Sequence, residues 1–104
     1  MKLQVAVIVF GFRVEDRLEG VANFSPWKAI ISLILEENEL WDIVHSTTTN
    51  LVVVPADATY KTTFMTRDVR ERRVILDALK DHVIAHISTK YHAFQMWTAL
   101  TNTY

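Results

Sequence analysis

No cysteine occurs in the 104 residues, and there are only two glycines and two prolines. Disulfides, thiol nucleophiles and cysteine-liganded zinc are therefore excluded within the chain. With Gly11 and Gly20 the only glycines, a glycine-rich loop to cradle phosphate is missing too. The scarcity of turn formers argues against a β-sandwich, which needs a turn signal every 8–12 residues or so, on the order of eight in all. Ser25, Ser32, Ser46 and Ser88 lack the flanking glycines of a strand-turn-helix elbow, so nucleophilic catalysis has no support. The formal net charge of −1 lacks the basic excess of a dedicated nucleic-acid surface. No apolar run approaches the about 20 residues of a membrane-spanning helix.

What is present is apolar and helix-prone. Hydrophobic residues make up 50% of the chain, enough for the core of one domain without staples. The β-prone run Leu3–Phe12 stands apart from the rest. It is similar to the hydrophobic part of a secretory signal, but Gly-Phe-Arg-Val-Glu-Asp follows where a small-residue cleavage site belongs. The expected location is cytoplasmic, with secretion through residues 1–12 as the minor alternative. Residues 1–11 read as an apolar segment, extended or disordered, ahead of a domain spanning 12–104.

Ser25 as N-cap and Pro26 at the first helical position predict a helix start. Trp27, Ile30, Ile31, Ile34 and Leu35 then repeat at helical spacing, and Glu36-Glu37-Asn38 ends or bends the helix. Leu40, Trp41, Ile43 and Val44 predict one or two further turns packed back on it. Thr47–Asn50 and Pro55 oppose helix, so residues 45–56 form a connector, with Leu51–Val54 extended. A long helix is expected from Asp57 or Thr59 to about Lys80, with Tyr60, Phe64, Val69, Leu76, Leu79 and Val83 inward. Asp81–Ile87 continues it or forms a separate turn. A last helix, capped by Ser88 or Thr89, aligns Ala93, Phe94, Trp97, Leu100, Thr101 and Tyr104. Its apolar stripe is cut off at Tyr104, which predicts exposed hydrophobic surface there. The fold class is all-α, a small bundle of four to five helices. Its expected core includes Trp27, Ile31, Ile34, Trp41, Leu76, Leu79, Phe94, Trp97 and Leu100.

Several segments in order resemble the Gag polyprotein of plant Copia-type LTR retrotransposons. They are Phe12–Gly20, Asn23–Lys28, Leu35–Val44, Arg73–Ile84 and Met96–Tyr104, the last similar to that family's tryptophan helix ending in Leu-x-x-x-Tyr. The resemblance covers residues 12–104. It implies an all-α, non-enzymatic, capsid-type domain that assembles with itself or related Gag chains into a shell around the element's RNA. It also implies structural roles for Trp27, Trp41 and Trp97, and no cofactor. Ala85 stands where proline is common in the family, and the first eleven residues are not family-like. With no cysteine, the zinc knuckle that usually binds RNA is absent, and the second half of the capsid region is expected to be missing. The chain then reads as a fragment or relic, with RNA contacted through regions it lacks.

Two clusters could carry chemistry instead. His82 and His86, four apart, could offer half of a metal site, though two ligands alone rarely hold zinc; the bland reading is a pair covering a helix C-terminus. Arg67, Arg70, Arg72 and Arg73 against Asp68 and Glu71 give a local charge of +2 (4 − 2). They could meet RNA phosphates, the alternative function, or form a solvated helix face with Asp68 and Arg72 as an i, i+4 pair. Residues 29–60 carry Glu36, Glu37, Glu39, Asp42 and Asp57 but no lysine or arginine. That acidic stretch could meet the arginines of a neighbouring copy, pair within one molecule, or face water.

Overall fold

A computed structural model describes residues 13–44 and 52–104. The run at 3–12, the boundary at residue 11 and Thr47–Asn50 of the connector lie outside the described residues. Within them the protein is all-α, with helices α1 (Val21–Glu37), α2 (Ala58–Asp77), α3 (Asp81–Ile87) and α4 (Ala93–Thr103). Single 3-10 turns lie at Val14–Asp16 and Trp41–Ile43.

Helix α1 starts four residues ahead of Ser25, and Pro26 sits inside it. The cap is Asn23, whose side-chain oxygen accepts from the Glu19 and Gly20 amides at 3.0 and 3.2 Å. Its amide donates back to the Arg17 carbonyl at 2.9 Å. Pro26 is tolerated because the carbonyl it cannot serve, one turn back, belongs to the exposed Ala22 and can face water. At the other end Glu39 adopts φ 57°, and the Leu40 amide reaches the Leu35 carbonyl at 2.8 Å. This closes the helix as a Schellman turn, with glutamate where glycine is usual, at a strain of roughly 1–2 kcal/mol.

Trp27, Ile31, Ile34 and Leu35 face inward from α1, but Ile30 is 49% exposed. At 100° per residue it falls on the far edge of their stripe. The 3-10 turn beside α1 buries Leu40, Ile43 and Val44. Val52 and Val54 pack on the same core, while Val53 between them faces out, an extended alternation.

Asp57 caps α2, accepting from the Thr59 and Tyr60 amides at 2.9 and 3.4 Å. The helix stops at Asp77 rather than Lys80 because the chain there turns aside to pair with an upstream segment. The Leu18 amide donates to the Ala78 carbonyl at 2.9 Å, and the Lys80 amide to the Leu18 carbonyl at 3.1 Å. The buried Trp27 indole N–H donates to the same Ala78 carbonyl at 2.8 Å. A helix-end acceptor is thereby satisfied twice, and α3 begins as a separate helix. Tyr60 and Val69, expected inward on α2, are 69% and 54% exposed. The buried stripe runs instead through Phe64, Asp68, Glu71, Val74, Ile75, Ala78 and Leu79.

Candidate functional site

Three features of the described residues could carry function: the tryptophan cluster, the acids on α2, and the charged and apolar groups left outside. Trp97 is the hub of the first. Its ring stacks at 6.1 Å on Trp27 and meets Trp41 edge-on at 5.5 Å, separations at which aromatic pairs attract. Trp27, Ile31, Ile34, Leu79, Trp97 and Leu100 are buried; Trp41, Leu76 and Phe94 are partly buried against them. Tyr104 does not leave an open apolar end. It packs on Phe24 at 5.9 Å, and Phe24 stacks on Trp27.

Asp68 and Glu71 are fully buried, so the charged run is not the solvated face that the sequence suggests. Asp68 organises the start of α4. One carboxylate oxygen accepts from the Ala93 amide at 2.9 Å, and the other lies 3.3 Å from His92 Nδ1 and 3.1 Å from Arg72 Nε. Arg72 also spreads over the Tyr91 ring at 5.4 Å. The cap of α4 is thus an acid from another helix, helped by Gln95, which accepts from the His92 and Tyr91 amides. Ser88 and Thr89 are not the cap; Ser88 donates to the Ala85 carbonyl. Position could have revealed the inward acids, since 64, 68, 71, 75 and 78 alternate steps of four and three along one helical face.

Both Glu71 carboxyl oxygens are buried without a hydrogen-bond partner among the described residues. Burial, reinforced by the charges of Asp68 and Asp42 against the opposing pull of Arg67, pushes its pKa up to about 9. The folded protein therefore keeps Glu71 neutral at pH 7, whereas the unfolded chain ionises it near 4.5. The folded state binds the extra proton between those values, so the contribution of Glu71 to stability is fullest below about 4.5 and is lost as pH rises towards 9. The expected slope from this one group is on the order of 1.4 kcal/mol per pH unit. Melting temperatures from pH 5 to 9 check it: Glu71→Gln should flatten the decline, and parallel curves for both proteins would refute the assignment.

The four arginines do not form one surface. Arg67 binds Asp42 at 2.5 Å and also the Glu39 carbonyl, and Arg72 is held by Asp68. Arg70 and Arg73 are exposed, without an ion pair among the described residues. His82 and His86 do not converge on a common point either. His82 Nε2 donates to the Glu19 carbonyl at 2.6 Å, and His86 Nε2 lies 3.4 Å from Thr103 Oγ1. Among the described residues no group of three or more metal-ligating side chains gathers. Beside His82, the Lys80 ammonium hydrogen-bonds the Glu19 carboxylate at 3.0 Å and holds its pKa below the usual range.

No helix among the described residues is long and apolar enough to cross a membrane. The outer side of α1 is nonetheless apolar: Leu33 is 61% exposed, and Ile30 lies beside it with exposed Pro26 and Ala29. No protein-family model matches the chain, and neither a curated protein nor a solved structure does.

Proposed function

We propose that this protein is a non-enzymatic helical module of Gag capsid type, acting by contact with copies or relatives of itself. The segments within residues 12–104 that resemble, in the same sequence order, plant Copia-type Gag motivate the family reading. The observation that carries the activity is the outward face of α1. Its inner side already completes the core, yet Ile30 and Leu33 remain in water on the other. A helix apolar on both sides is ordinarily covered on both. A contact built on such a patch is weak singly and becomes effective by repetition in a shell. The RNA-binding alternative is left with Arg70 and Arg73, two phosphate contacts, which would give a salt slope of only about −1.4 on single strands.

Sedimentation velocity over a concentration series tests the proposal. The wild-type chain should associate, and Leu33→Asp should weaken association at least about tenfold, since burying one leucine contributes about 1.5–3 kcal/mol. A wild-type protein that stays strictly monomeric at millimolar concentration would overturn the reading.

A further inference from the structure

The acidic and basic stretches separate into spent and unspent charges once their positions are known. Arg67 and Arg72 are engaged inside the molecule with Asp42 and Asp68. Arg70 and Arg73 are not, and with Val74 and Asp77 they line a groove along one side of α2. Arg17 approaches the Asp77 carboxylate at 3.8 Å. The Asp77 carboxylate is thus already met by Arg17, and the groove keeps two unpaired guanidinium groups, Arg70 and Arg73. On α1, Glu36 and Glu37 are exposed and likewise have no ion pair among the described residues. They lie at the end of the helix side that exposes Ile30 and Leu33. One surface is apolar with unpaired acids at its edge; the other has an apolar floor at Val74 with unpaired arginines at its edge.

We infer that the Arg70–Arg73 groove of one copy receives the Glu36–Glu37 end of α1 from a second copy of this chain. This rests on the self-association proposed above and names its two surfaces. Charge complementarity selects the occupant. Groove against groove would oppose guanidinium groups, whereas groove against the α1 end pairs each guanidinium with a carboxylate, the geometry that arginine favours. Ile30 and Leu33 supply the apolar area, and the charges set register and speed of encounter. Charge pairs at such a rim are sensitive to salt.

Charge reversal on the full chain tests it. Arg70→Glu/Arg73→Glu and Glu36→Lys/Glu37→Lys should each weaken self-association at least tenfold, since each opposes like charges. Mixed in equal amounts, the two variants should associate to within about threefold of wild type, because the reversed pairs complement each other. Circular dichroism verifies that each variant is folded; should one not be, glutamine at the same pair of positions reads the contact. Wild-type association that neither reversal weakens, or that mixing fails to restore, places the interface elsewhere while leaving self-association intact. No wild-type association at all ends both proposals. Binding of a single-stranded RNA probe that Arg70→Glu/Arg73→Glu abolishes, with self-association unchanged, would assign the groove to phosphate and overturn the inference.

Discussion

Asp68→Ala should destabilise the protein by about 3–5 kcal/mol, the usual result of removing one member of a buried charged pair. The size follows from what the carboxylate holds. Without it the Ala93 amide, at the start of α4, loses its acceptor, and Arg72 loses its partner while partly covered by Tyr91. A domain of this length has a total stability of about 5–15 kcal/mol, so the variant would sit near the edge of folding. At about 4 °C per kcal/mol or more, its melting temperature should fall by at least about 12 °C. Asp68→Asn should be milder, because an amide oxygen can still accept from Ala93 while the charge facing Arg72 is gone. Urea titration separates the two variants. A loss below about 1 kcal/mol in Asp68→Ala would mean that α4 is anchored by its apolar face alone.

Trp97→Ala should cost a similar about 3–5 kcal/mol, by another route. The indole is nearly fully buried and touches both other tryptophans, which belong to α1 and to the 3-10 turn at 41–43. Its removal takes away transfer energy and two ring contacts, and leaves a cavity that three separate elements would have to collapse to fill. Trp97→Phe should recover much of the loss, since one ring still bridges the gap. Thermal melts and tryptophan fluorescence check this together. A midpoint within a few degrees of wild type for Trp97→Ala would remove the hub from the core.

The all-α class was legible in the scarcity of glycine and proline and in the helical spacing around the tryptophans. So was the start of α2, because Asp57 caps it from within the same segment. The misread points share a cause: a distant residue decides them. Helix α2 ends early because Leu18 pairs with the backbone around Leu79, some sixty positions on. Helix α4 begins at Ala93 because Asp68 of α2 reaches its first amide. Helix α1 starts early through a backward-reaching asparagine, a weaker signal than Ser-Pro. Of the candidate sites, the arginines were visible but could not be sorted. Which of them are spent depends on Asp42 and Asp68 across the fold, and hydrophobic periodicity steps over an inward acid as though it faced water.

The Phe24–Tyr104 contact has a topological corollary. Phe24 lies in the first turns of α1, Glu19 just before it is tied to His82, and Thr103 meets His86. The start of α1 and the end of α4 thus lie against each other. Unwinding of the last turn of α4 would therefore uncover the Phe24 ring and, behind it, Trp27.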